Sequence, residues 1–257
     1  SSGLYEVPSF KKPTVNIESN SESAFQLRRY GWSAKLPASV LSNFEHLAIY
    51  DCSIRPNKND KASACRIKLY SYQEFIEKWD EIASILHRDS VGKGLYELHT
   101  KHSKSRKGTA EVDTEFLKEI EHWREMLAKN VALRNKELST REINNIIQLT
   151  IDRIIFLRIC EDRGIESDGI IKAISNGSNL YSKLIELFSN ADLRYNSGLF
   201  NFEKDKLTKN IIIDDKPLKD LINSLYYPEC PYAFNYIPSD ILGQVYEQFL
   251  GKVIHLT

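Results

Sequence analysis

The stretch Cys65-Arg66-Ile67-Lys68-Leu69-Tyr70-Ser71-Tyr72-Gln73-Glu74-Phe75-Ile76 changes its period in the middle. Up to Tyr70, apolar and basic residues alternate, the pattern of a half-buried strand. From Ser71 the step becomes three and four residues, so that Phe75, Ile76, Trp79, Ile82 and Leu86 line one helical stripe. Ser71-x-x-Glu74 marks the changeover as a capping box. Its hydroxyl can accept from a free backbone N–H while the carboxylate reaches back to the cap. A strand-bearing start that hands over to helices predicts an α+β chain.

Working upstream, Leu47-Ala48-Ile49-Tyr50-Asp51-Cys52 is rich in β-formers and reads as a second strand. The turn residues Pro56-Asn57-Lys58-Asn59-Asp60 lie between the two, so a loop-linked antiparallel pair is expected. Residues 21–34 read as a helix with Ala24, Leu27 and Ala34 on one face. Pro13-Thr14-Val15-Asn16-Ile17 alternates enough for a short strand.

Downstream, residues 99–108, His-Thr-Lys-His-Ser-Lys-Ser-Arg-Lys-Gly, have no apolar period and read as an exposed basic linker. Phe116, Ile120, Trp123 and Leu127 then mark a strong helix. A second capping box, Ser139-x-x-Glu142, opens a long one at 140–163, which Gly164 ends. The middle of that helix is apolar nearly all round, as expected of an element buried by neighbours. Shorter helices fit 179–189, 217–226 and 239–250. The resulting organisation is 1–70 with strands, 71–110 as helix and basic linker, and 111–257 as a helical domain. The closing Lys252-Val253-Ile254-His255-Leu256-Thr257 is apolar without a stop signal and reads as leading into further chain.

The 257 residues carry 35 Lys+Arg against 35 Asp+Glu, with 42% hydrophobic and 27% charged residues, a globular composition. Residues 1–110 hold 17 basic and 12 acidic side chains; 111–257 hold 18 and 23. A nucleic-acid contact is therefore expected mainly in the first part, although an ordinary solvated surface accounts for the excess equally well. No apolar run approaches the roughly 20 residues of a membrane span, and the start lacks signal-peptide features. Four cysteines without a C-x-x-C pair point to reduced thiols and a cytoplasmic location. There is no G-x-G-x-x-G, no P-loop, no G-x-S-x-G elbow and no metal-ligand spacing of histidines.

Longer strings carry more. Lys11-Lys12-Pro13-Thr14-Val15-Asn16-Ile17 is followed by Ala24-Phe25-Gln26-Leu27-Arg28-Arg29-Tyr30-Gly31-Trp32-Ser33-Ala34 and then by Leu47-Ala48-Ile49-Tyr50-Asp51-Cys52-Ser53-Ile54-Arg55-Pro56. Further on come Thr150-Ile151-Asp152-Arg153-Ile154-Ile155-Phe156-Leu157-Arg158-Ile159-Cys160-Glu161-Asp162-Arg163-Gly164 and Ile237-Pro238-Ser239-Asp240-Ile241-Leu242-Gly243-Gln244-Val245-Tyr246-Glu247-Gln248-Phe249-Leu250-Gly251. This order resembles the amino-terminal nuclease region of type IIG restriction–modification enzymes, which fuse an endonuclease and an adenine-specific DNA methyltransferase. The resemblance spans roughly residues 11–257.

The resemblance implies a PD-(D/E)xK nuclease core at the start, with a helical connector leading to a methyltransferase. In such a core, acidic groups hold magnesium against the scissile phosphate and a lysine positions the attacking water. Matching Lys11-Lys12-Pro13 to the family pattern makes Lys11 the catalytic lysine and puts Ser9 where a glutamate belongs. Glu6 lies three residues too early, and the upstream aspartate has no counterpart. Metal ligands and a site for S-adenosylmethionine are therefore not expected within this chain; Mg2+ and S-adenosylmethionine belong to the parent enzyme. Gln26-x-x-x-Tyr30 has the form that accompanies one branch of these nucleases, and a four-residue helical spacing puts both on one face. Lys12, Arg28 and Arg29 suit phosphate contacts, with a solvated helix face as the alternative. Arg66 and Lys68 share one sheet face by their alternation and suit either phosphate or solvent.

The charges of the long helix, among them Asp152 with Arg153 and Arg158 with Asp162, are expected to fix packing. Tyr226, Tyr227, Tyr232 and Tyr236 are expected in the connector core. The expected function is a fragment that contributes DNA binding and part of a magnesium-dependent endonuclease core. Its partners would be double-stranded DNA and the methyltransferase and target-recognition domains of the parent chain. The alternative is a non-catalytic DNA-binding or helical scaffolding module of a restriction–modification complex. On its own the fragment is expected to cut little or not at all.

Overall fold

A computed structural model of the chain describes residues 16–92 and 112–237. The chain is α+β. It divides into two compact units, one formed by residues 1–31 and 36–109 and the other by 32–35 and 110–257.

The first unit is built on a three-stranded antiparallel sheet in the order β1-β2-β3, with β1 Ala38–Ser42, β2 His46–Asp51 and β3 Arg66–Ser71. β2 and β3 fall where alternation predicts them. β1 is an addition: Ala-Ser-Val-Leu-Ser is short and only partly apolar, and its pairing with β2 is what makes it a strand. Helix α1, Ser21–Ser33, covers one face of the sheet. There Ala24 and Leu27 pack with Ala48, Tyr50, Leu41 and Leu69. Helix α2, Trp79–Leu86, covers the other face, where Ile82 and Ile85 pack with Ala38, Ile49 and Tyr70. The result is a helix–sheet–helix sandwich. Helix α3 follows at Arg88–Gly92.

Two expectations change here. Ile17 lies in a turn, not a strand: Asn16 accepts the backbone N–H groups of Ser19 and Asn20 and so leads into α1. Ile76 and Trp79 do not join the buried stripe. Ser71 and Glu74 do pair, at 2.9 Å from the Ser71 N–H, but they open only a 3₁₀ turn at Tyr72–Glu74. The α-helix starts five residues after Glu74, and this phase shift turns Ile76 and Trp79 outward.

The second unit is helical: α4 Val112–Arg134, α5 Thr140–Asp162, α6 Ile170–Ser175, α7 Leu180–Tyr195 and α8 Asp215–Ser224. Ser139 caps α5 as its box predicts, the Glu142 N–H donating to Ser139 Oγ at 3.3 Å. Gly164 ends it at φ +69°, a left-handed turn that glycine adopts without penalty. α7 runs six residues past its predicted end, and α6 carries no sequence signal strong enough to have announced it. The helix expected at 239–250 and the basic linker at 99–108 lie outside the described residues. Trp32 belongs to this unit and stacks on Tyr232 with ring centroids 5.4 Å apart. Among the described residues no helix is long and apolar enough to cross a membrane, and the four cysteines are free thiols.

Candidate functional site

Helix α1 presents two faces with different tasks. Its inner face, Ala24, Leu27, Arg28 and Gly31, lies against the sheet. Gly31 is needed there: a Cβ at that position would stand 2.5 Å from both Cys52 Sγ and Ser39 Oγ. On the outer side Gln26 is exposed and Tyr30 half-buried. The Gln26 amide donates to the Tyr30 hydroxyl at 2.8 Å, so the four-residue spacing does bring amide and phenol together.

Arg28 stands on the inner face, only 1% exposed. The expectation of an outward guanidinium, whether on phosphate or in solvent, does not describe it. Its Nη1 donates to Asp60 Oδ2 at 2.6 Å. Asp60 also accepts the Asn57 N–H at 3.1 Å, so one carboxylate closes the turn and pairs the arginine. The turn cluster was legible in the sequence; that its last acid reaches a helix 32 residues away was not. Arg29 is also buried, at 7% exposure.

Arg66 and Lys68 do not share a face. Ile49 pairs with Lys68 while Tyr50 pairs with Arg66, so Ile67 is an extra residue on β3 and forms a bulge. The bulge breaks the alternation on which the expectation rested. Arg66 lies on the α1 face, where its Nη1 donates to the Glu18 carbonyl at 2.9 Å. It also faces the Tyr50 phenol, which donates to the Ala62 carbonyl at 2.8 Å. Lys68 lies on the α2 face and pairs with Glu81 at 2.7 Å. The Lys68 ammonium and the Tyr70 phenol hold the Glu81 carboxyl below its ordinary range.

Lys11 and Lys12 lie outside the described residues. Among the described residues there is no cluster of three or more His, Cys, Asp or Glu that could hold a metal ion. Two carboxylates of the unit, one buried and one half-buried, are already engaged. Asp51 accepts from the Ser53 N–H and hydroxyl at 2.9 and 2.6 Å, and Asp60 from Arg28. The described part of this unit offers a polar helix face, and no hydrolytic step is assigned to it.

In the helical unit the charges of α5 are spent internally. Arg158, over the Tyr226 ring at 4.3 Å, pairs with Glu161 and Asp162 and donates to the Leu225 carbonyl. Tyr226 in turn donates to Glu161 at 2.6 Å. Arg153 pairs with Asp205 at 2.8 Å, whereas Asp152 accepts from Gln148, so the pairing of Asp152 with Arg153 is replaced by two others. Burial pushes the Asp152 carboxyl up to about 6. Tyr226 and Tyr232 are buried as expected, while Tyr227 and Tyr236 are exposed.

The chain is similar to a fused restriction enzyme and methyltransferase. Over 247 residues, 96% of its length, it is 38% identical to the type II restriction enzyme and methyltransferase RM.Eco57I of Escherichia coli, a type IIG enzyme. The similarity falls in the amino-terminal part of that protein, and the chain spans 24% of its length. No protein-family model matches the chain, and no solved structure matches it.

Proposed function

We propose that this chain is the DNA-engaging edge of a restriction nuclease together with the helical connector that links it to an adenine-specific DNA methyltransferase. The observation that carries the reading is the match to RM.Eco57I over nearly the whole chain. Two features support it. A sheet covered by a helix on each face is the layering expected of such a nuclease. The Gln26–Tyr30 pair sets two hydrogen-bonding groups side by side on the outer part of α1. An amide has a second N–H, so Gln26 can donate to a phosphate oxygen while it orients the phenol.

On this reading Lys11 is the lysine of the cleavage centre and Lys12 contacts the backbone of double-stranded DNA. Arg66, half-buried beside Tyr50 on the α1 face, is a further candidate for a backbone contact. Arg28 and Arg29 support the edge from within. Magnesium would activate water for hydrolysis in the complete enzyme and S-adenosylmethionine would supply the methyl group. The target-recognition and methyltransferase domains are the intramolecular partners, and the cytoplasm is where the DNA is met.

Fluorescence anisotropy with a labelled duplex at several salt concentrations tests the reading. Affinity is expected to fall linearly on a log–log plot as salt rises, with the slope reduced by about 1 to 2 in K11A/K12A, because each phosphate contact releases counterions. Absence of binding at low salt would remove the DNA-edge assignment. It would leave a helical scaffolding module, a reading favoured by the way α5 directs Arg153 and Arg158 inward.

A further inference from the structure

We propose that Phe44, Tyr72, Ile76 and Trp79 form a docking surface for a protein segment with apolar side chains rimmed by lysine and arginine, supplied by the polypeptide that type IIG proteins carry outside the region matched here. The inference rests on the reading above as to the kind of protein, but not on its DNA contacts.

Exposure selects the four residues. Ile76 is 92% exposed, Phe44 94%, Trp79 63% and Tyr72 56%, in a unit whose other large apolar side chains are mostly packed. Turn hydrogen bonds from the Phe75 N–H to the Tyr72 carbonyl and from the Trp79 N–H to the Ile76 carbonyl keep Tyr72, Ile76 and Trp79 close together in the segment that leads into α2. The β1–β2 turn is tied to the same place by the Tyr72 N–H, which donates to the Glu45 carbonyl at 2.7 Å. Phe44, next to Glu45, holds its backbone at φ +69°, a left-handed conformation that a bulky residue rarely adopts. The ring stands almost fully exposed, so packing within this unit does not offset that strain. Strained residues of this kind cluster at contact sites.

Charge decides the partner. Along the patch residues, Lys78 pairs with Glu77 and Lys68 with Glu81, which leaves Glu45, Glu74 and Asp80 as the excess charge. Three carboxylates in excess repel a phosphate backbone, so nucleic acid does not belong here. A second copy bringing the same patch would oppose like charges. An apolar centre with a basic rim is complementary on both counts. RM.Eco57I has about three quarters of its length outside the match from which to provide it.

The probe is the purified part of RM.Eco57I outside the 247-residue match, titrated with this chain by calorimetry while duplex-DNA affinity is followed in parallel. Wild-type chain is expected to bind at roughly micromolar affinity or better, more weakly at high salt. I76D/W79D is expected to lose at least about tenfold and E77K/D80K several-fold, with the conservative I76V/W79F keeping affinity. All variants should retain the wild-type circular dichroism and DNA affinity. Equal binding by wild type and I76D/W79D overturns the proposal, as does no binding by wild type. A loss confined to DNA affinity also overturns it and marks the patch as a nucleic-acid surface. Protein binding that persists while DNA binding fails in every variant leaves the docking surface standing and removes only the DNA contacts.

Discussion

Arg28 and Asp60, 2.6 Å apart, join the middle of helix α1 to the loop between β2 and β3. The arginine is 1% exposed while the aspartate side chain keeps 30%, so the two ends of the pair respond differently to removal.

Asp60→Asn strands a buried guanidinium and is expected to cost about 3 kcal/mol, the low end for a broken buried pair. Arg28→Met removes the buried charge and lets Asp60 return to water, and is expected to cost about 1 kcal/mol. Urea denaturation of both variants checks the order. Equal losses, or a greater loss for Arg28→Met, would mean that packing and not the charge dominates.

Gly31→Ala places a methyl group 2.5 Å from Cys52 Sγ and Ser39 Oγ. Helix α1 must then lift or the strand ends must spread, at a cost of about 1–3 kcal/mol. G31A/S39A relieves one of the two contacts and is expected to recover part of the loss in melting temperature. No recovery would point to Cys52 as the rigid neighbour.

Asp152 gives the helical unit a pH dependence. Burial raises its carboxyl from 3.8 to about 6, against the pull of Gln148, Arg124 and Arg153. A raised acid binds its proton more tightly in the folded state. Its contribution is therefore full below about 3.8 and is lost as pH rises to about 6. Asp152→Asn keeps a partner for Gln148 and removes the titration. Relative to wild type the variant is expected to gain on the order of 1–3 kcal/mol between pH 4 and pH 7. A stability difference that stays constant over that interval would show that Asp152 does not titrate there.

Gln26→Ala and Tyr30→Phe lie on the outer side of α1 and are expected to change stability by less than about 0.5 kcal/mol. In duplex binding each is expected to weaken affinity several-fold without altering the salt slope, since neutral groups release no counterions. A changed slope would place them near a cation that they position.

Periodicity located α1, β2, β3 and the helices α4, α5, α7 and α8, because each follows from the spacing of apolar residues along its own segment. It could not place Arg28. A guanidinium on a helix reads as solvent-facing until the acid that buries it is known, and Asp60 is distant in sequence. Nor could it place Arg66 and Lys68, whose shared face depended on an alternation that the bulge at Ile67 interrupts. Gln26 and Tyr30 were legible because their contact is local, one helical turn long.

What the sequence by itself determined is therefore most of the elements and the local pairs within them, together with the resemblance that the match to RM.Eco57I supports. Tertiary structure decided that Arg28 is spent on the interior and that Arg153 pairs with Asp205, and which apolar side chains are left outside, namely Phe44, Ile76 and Trp79. The physical reason is that a side chain's spacing fixes its direction on its own helix or strand. Whether that direction ends in water or in a partner depends on segments tens of residues away.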